Sequence, residues 1–155
     1  MRLAKKFVEA KITNQNTHLK KIRAKTRLKY NLSEISILNE LRGAEGALAR
    51  KYFLAWREEN LIKHPNFKFP GRVKRPATDP INAMLSFCFS LLHSEIHTQI
   101  LIAGLDPYIG FLHEQSYGHA ALARDFTEIF RGLVEHFALK SLNRKEFGIE
   151  DFEEE

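Results

Sequence analysis

Residues 104–131, GLDPYIGFLHEQSYGHAALARDFTEIFR, read as a turn, a loop and the start of a long helix. The Gly-Leu-Asp-Pro opening is a turn signal, and the apolar run 108–112 anchors a loop that presents His113. From about Gly118 the spacing predicts a helix to about Asn143, with Leu122, Phe126, Ile129, Leu133 and Phe137 as its core stripe. Asp125 and Glu128, three residues apart, project from one face of that helix. Ala121 and Gly132 flank them and would allow close approach of a backbone, an ion or a strand; an ordinary solvated edge is the equal alternative. One imidazole and two carboxylates delivered by a turn and a helix form a candidate divalent-metal site. A lone histidine is more often structural, so His113 gains weight only from this company.

The rest of the chain also reads helical, because no stretch alternates over strand length. The expected fold is all-α, a multi-helix domain around a central, largely buried helix at about 80–103. That helix has Asp79 as N-cap, Pro80 in its first position and Gly104 as its stop. On a 100° wheel Asn82, Ser86, Ser90, His93 and His97 fall in one polar stripe, and apolar residues fill most of the remainder. A first helix is expected over 2 to about 25. Asn31 with Glu34 resembles a capping box opening a short helix on which Ile35, Leu38 and Leu41 share a face. A break at Gly43 should precede a helix over roughly 44–59, and residues 64–79, with three prolines, should be a loop. One domain is expected over 1–147, followed by a polar, acidic and mobile tail over 148–155.

Glu45 falls in the buried stripe of its helix, with Leu41, Leu48, Ala49, Tyr52 and Trp56. A lone carboxylate there would lose hydration at a cost of several kcal/mol unless paired or metal-bound. The alternative is a first-turn glutamate favoured by the helix dipole and open to water. His113, Glu45, Asp125 and Glu128 together are a hard, oxygen-rich set suited to Mg²⁺ or Mn²⁺. Such an ion polarises phosphoryl oxygens and activates water or a sugar hydroxyl. His93 and His97 lie one helical turn apart, but HSEIH is not the zinc-protease spacing, and the polar stripe accounts for them.

Charge is unevenly placed. Residues 1–30 carry ten Lys or Arg against one Glu, while five of the last six residues are acidic. A basic leading arm favours phosphate partners through counterion release, although a lysine-rich helix is commonly just solvated. The loop GRVKR places Arg72, Lys74 and Arg75 beside a helix N-terminus, where phosphate oxygens are well received; a solubilising loop is as consistent with the charge. Cys88 is the single cysteine, which excludes an intrachain disulfide. Charge directly after Met1 and polar interruptions in 80–103 argue against a leader or a membrane span, so a cytoplasmic location is expected.

RGAEGALARKYF, GRVKRPATDPINAMLSF and GLDPYIGFLHEQSYGHAALARDFTEIFR, in that order, resemble the catalytic helical domain of the CRISPR-associated spacer-acquisition endonuclease, protein one of that system. KITNQNTHL resembles the first helix of the same domain, and the likeness covers residues 1 to about 147. It implies an α-helical nuclease whose metal is held by Glu45 of the G-x-E-G motif, His113 ending the GLDP run and Glu128 of the D-x-x-E/D motif. Asp125 is then a close neighbour, and Arg72 and Arg75 of the GRxxRP loop make DNA or structural contacts. The family joins a DNA 3′-hydroxyl to the CRISPR repeat by transesterification, as a dimer with the small protein two of the system. The family's N-terminal β-rich domain is not represented in these residues, and His119 stands where the family often has Arg. A non-catalytic helical DNA-binding or assembly module is the alternative function.

Overall fold

The computed structural model describes residues 1–73, 76, 77, 79–115 and 118–152. Its regular structure is four α-helices and one 3-10 turn: α1 (Arg2–Lys21), α2 (Leu38–Glu58), α3 (Pro80–Ile102), α4 (Ala121–Asn143) and the turn Ile149–Asp151. The all-α class is as expected. Lys74 and Arg75, two of the three candidate phosphate contacts, lie outside the described residues, as do Glu153, Glu154 and Glu155.

Local chemistry explains where the helices start and stop. Asp79 caps α3 by accepting from the Asn82 backbone N–H at 2.9 Å, with Pro80 in the first position. All four helices end alike: a residue at positive φ turns the chain, and the next N–H bonds back to the carbonyl five residues earlier. Gly104 (φ 72°) does this for α3, but Arg23 (58°), Asn60 (47°) and Lys145 (57°) do it for the others. The closing bonds are Ala24 to Leu19, Leu61 to Trp56, Leu105 to Ile100 and Glu146 to Ser141, all 2.9–3.1 Å. Gly104, and less strongly Asn60, are recognisable as stops in the sequence, whereas Arg23 and Lys145 are not residues that favour positive φ.

Two local expectations are corrected. Residues 31–37 are not helical: Asn31 accepts from the Ser33 N–H and hydroxyl in a side-chain turn instead of capping a helix. Leu38 and Leu41 instead open α2, which runs unbroken through Gly43. Glycine permits a break but does not impose one, and buried Leu41, Tyr52 and Trp56 hold one continuous helix face.

α1 lies between α2 and α4, and α4 lies between α1 and α3. Trp56, Tyr52 and Phe53 of α2 pack edge-on to one another and against Phe69 of the following loop. α3 buries one side, with Ile81, Met84, Leu85, Phe89, Ile96 and Ile100, while Phe87, Leu91 and Ile102 face outward. The element packed on both neighbours is therefore α4, and α3 is an outer layer on it. Phe147 and Phe152, flanking the 3-10 turn, pack on the main core, Phe152 edge-on to Phe67.

The predicted core stripe of α4 holds at Leu122, which is buried, and in part at the half-buried Phe126 and Ile129, and is corrected at Leu133 and Phe137. Leu133 and Phe137 are 67% and 51% exposed, whereas Asp125 and Glu135 are fully buried and Arg131 nearly so. The inward face of α4 is its charged face, because the face of α1 opposite it carries Lys11, Gln15 and His18, all buried. Charges satisfied by charges can be buried where isolated ones cannot. The ring Nδ1 of His18 pairs with the Tyr52 hydroxyl, and burial, with His136 and Lys21 nearby, pushes the imidazole down to about 4.

His18 is therefore neutral in the fold and protonatable in the unfolded chain near pH 6.5. Its contribution is present above that pH and is lost as pH falls through 6.5 toward 4, on the order of 3 kcal/mol. Thermal melts at stepped pH should show Tm falling across this window, and His18→Asn should flatten the fall. Arg23→Gly should raise stability by about 1 kcal/mol in urea unfolding, because it relieves a non-glycine residue at positive φ.

Candidate metal centre and the cleft beside it

The loop from 104 to 113 is fastened to the start of α4 at both ends. Asp106 accepts from the Tyr108 N–H at 2.8 Å, and the Pro107 carbonyl takes the Leu122 N–H at 2.9 Å. Gly110 is required by contact: a Cβ there would lie 2.8 Å from Ala121 Cβ and 2.9 Å from the His113 carbonyl. The far end closes on Asp125, whose carboxylate accepts the N–H groups of Phe111, Leu112 and His113 at 2.6, 2.9 and 3.0 Å. The same carboxylate holds His113 Nδ1 at 2.7 Å. Burial would raise the Asp125 carboxyl, but His113 and the three backbone donors outweigh it and keep it below the usual range. An ionised Asp125 places the His113 proton on Nδ1 and leaves Nε2 as a lone-pair donor. Arg42 of α2 ties in the loop's other side, donating from Nε to the Leu112 carbonyl at 2.7 Å.

The two glutamates singled out from sequence, 83 residues apart along the chain, also come together. Glu45 on α2 and Glu128 on α4 both contact the ammonium of Lys11, on α1; the Glu128 contact is 2.5 Å. Arg131 extends the array, with Nη1 3.3 Å from Glu128 and Nε 3.5 Å from Glu135, and its guanidinium lies 3.9 Å over the Phe89 ring. Burial opposes ionisation of Glu128, yet Arg131 and Lys11, with a smaller contribution from His113, hold it at about 2. Burial likewise opposes the Lys11 charge, and Glu128 and Glu45 overcome it, so the ammonium is held above the ordinary lysine value. Glu135 behaves oppositely: burial dominates and raises it.

Among the described residues, no three His, Cys, Asp or Glu side chains surround one point. Glu45 and Glu128 converge on Lys11, and His113 is turned to Asp125. The donor set nonetheless fits a divalent ion. Two carboxylates already share one cation, and His113 has its ring orientation fixed by the neighbouring Asp125 carboxylate.

A cleft of about 860 Å³ opens between α3 and α4 onto Glu128, lined also by Arg72, Arg124, Arg131, His93 and His119. Arg72 is held in place by Asn82 and Ser86, at 2.8 and 3.0 Å, so the polar stripe of α3 supports a cation at the cleft wall. His93 bonds Thr127 of α4 at 3.3 Å, the structural role that its stripe suggested. Lys11 and Arg131 were missed in the sequence. Lys11 shares a face with Ala4, Val8, Gln15 and His18, so a wheel of α1 would have flagged a lysine on a burying face. For Arg131 the only signal is its spacing from Glu128 and Glu135. Among the described residues no helix is long and apolar enough to cross a membrane.

The family model for CRISPR associated protein Cas1 matches residues 1–155. The chain is 37% identical over 168 residues to CRISPR-associated endonuclease Cas1 1 of Thermodesulfovibrio yellowstonii, covering 98% of this chain and 52% of that protein. It is 40% identical over 158 residues to CRISPR-associated endonuclease Cas1 3 of Thermus thermophilus, covering 98% and 47%. A Cas1 protein from Thermotoga maritima superposes with a TM-score of 0.89 at 29% identity, over 98% of this chain and 50% of that one. A casposase bound to integration product superposes with a TM-score of 0.87 at 29% identity, over 98% and 45%. The chain thus spans about half the length of the curated relatives it matches. Its helical fold and the match over its whole length place it in one family: the chain belongs to the Cas1 proteins of CRISPR systems.

Proposed function

We propose that this chain is a divalent-metal-dependent DNA endonuclease and integrase module of CRISPR adaptation. The observation that carries the reading is the meeting of Glu45 and Glu128 on one cation, beside an imidazole that Asp125 orients. Glu45, His113 and Glu128 hold Mg²⁺ or Mn²⁺. When bound, the ion supplies Lewis acidity toward a phosphodiester oxygen and acidifies a water or a DNA 3′-hydroxyl. Asp125 touches no substrate; it fixes the tautomer and the angle of His113. Arg72, Arg124 and Arg131 face the cleft and receive backbone phosphates without reading bases. Lys74 and Arg75, in the same GRVKR segment of the sequence as Arg72, belong to the proposal as further phosphate contacts. Relatives carry the name endonuclease, and one structural neighbour is bound to an integration product. Joining a 3′-hydroxyl to the CRISPR repeat by transesterification is the strand-transfer form of the same chemistry. A similar chain occurs in a Cas6-RT-Cas1–Cas2 complex, which supports Cas2 as a partner; a second copy of this chain is part of the same proposal. The ammonium between the carboxylates favours a second reading, a non-catalytic DNA-binding module.

With Mn²⁺ and branched DNA, the wild-type chain should cleave or join strands, and Glu45→Gln and His113→Ala should each reduce the rate by roughly 10²-fold or more. DNA binding that persists in wild type with no metal-dependent product would assign the chain to the non-catalytic reading. Asp125→Asn should weaken Mn²⁺ binding by about 10–100-fold in calorimetry. His113→Ala and the double variant should bind no worse than each other, because Asp125 acts through the imidazole.

A further inference from the structure

Lys11 has a chemistry that the proposed function does not use. Its side chain is 4% exposed, and its ammonium lies between Glu45 and Glu128, in contact with both. Three helices meet there: α1 brings the lysine, α2 one carboxylate and α4 the other. Without the ammonium, the two carboxylates would face each other in a site partly shielded from water, where like charges repel strongly. An ammonium and a metal ion cannot occupy the same point between them.

The stem of Lys11 has somewhere to go. A cavity of about 260 Å³ adjoins the pair, lined by Lys11, Gln15, Glu45, Arg50, Arg72 and Arg131 among others. Gln15 lies one turn along α1 on the same face, is 1% exposed, and has no hydrogen-bond partner at either amide atom. Its Oε1 is an unfilled acceptor for a displaced ammonium. Arg50, Arg72 and Arg131 oppose the displaced charge, which favours return of Lys11 once the carboxylates are free again.

We infer that Lys11 is the resident counter-ion of the Glu45–Glu128 pair: it holds the carboxylates together while no divalent ion is bound, and it is displaced toward Gln15 when one enters. Lysine and metal then compete for one place. The inference rests on the reading of Glu45 and Glu128 as metal-holding residues. Lys11 is a positioning residue under this scheme, and its charge sets how much metal the site requires.

The test is Mn²⁺ binding to the whole chain, followed by calorimetry and by the metal-induced rise in Tm, for wild type and Lys11→Met. Removing the competitor should tighten Mn²⁺ binding by about tenfold or more and enlarge the Tm rise, although the metal-free variant melts earlier than wild type. Equal or weaker binding by a Lys11→Met chain with native circular dichroism overturns the inference. If neither chain binds Mn²⁺, the metal reading of Glu45 and Glu128 fails, and the inference with it; equal binding by both sinks the counter-ion role alone. Should Lys11→Met not fold, the wild-type chain with ¹⁵N-labelled lysine decides. The Lys11 Nζ resonance should shift as Mg²⁺ saturates the site, because the ammonium exchanges two carboxylate partners for an amide oxygen, and a resonance unchanged at saturation overturns the displacement.

Discussion

A line of charge buried between α1 and α4 sets the arrangement of the molecule. Glu45, Lys11, Glu128, Arg131 and Glu135 alternate in sign and draw on three helices. Each member faces an opposite charge, and removing Lys11 or Arg131 would leave carboxylate charge uncompensated in a site poor in water, a cost of several kcal/mol. Such an array favours one register, because a slip of α1 on α4 would carry Lys11 away from its two carboxylates. It also explains why α4 turns Leu133 and Phe137 outward: the face that fits α1 is the charged one. A domain optimised only for burial would have done the opposite.

A second constraint centres on Asp125. Asp125 gathers three consecutive backbone N–H groups and an imidazole, so the loop end carrying His113 is fixed by four donors to one carboxylate. Gly110 lets that loop sit against Ala121 with no side chain between them. Asp125 and Glu128 share a helix face but do different work. Asp125 is committed to loop and histidine, whereas Glu128 is held ionised by the cations of Arg131 and Lys11. That difference separates a residue that shapes the site from one free to bind within it.

The cleft between α3 and α4 joins the two constraints to a surface. Arg72 is braced by the buried polar end of α3, and Arg131 by the charge line, so the cations along the cleft wall are pre-positioned before any anion arrives. Pre-positioned guanidinium groups lose little freedom on binding phosphate, which favours backbone recognition over base reading. The similarity to Cas1 proteins runs through these elements from end to end, over about half the length of the curated relatives.

The sequence by itself determined the helical class, the α3 start at Asp79-Pro80 and its stop at Gly104, because these depend on local backbone chemistry. It also picked out Glu45, His113, Asp125 and Glu128, since a carboxylate on a burying face and a histidine on an anchored loop are visible without a partner. Only the tertiary structure decided the rest. Arg23 and Lys145 end helices at positive φ, which their residue types do not announce. Residues 31–37 stay non-helical, with Asn31 bonding the Ser33 backbone in a local turn. The inward face of α4 depends on what α1 offers opposite, and Lys11 among many surface lysines is distinguished only by the two carboxylates waiting for it. Periodicity records which residues share a face; the charge on the facing helix decides which face is buried.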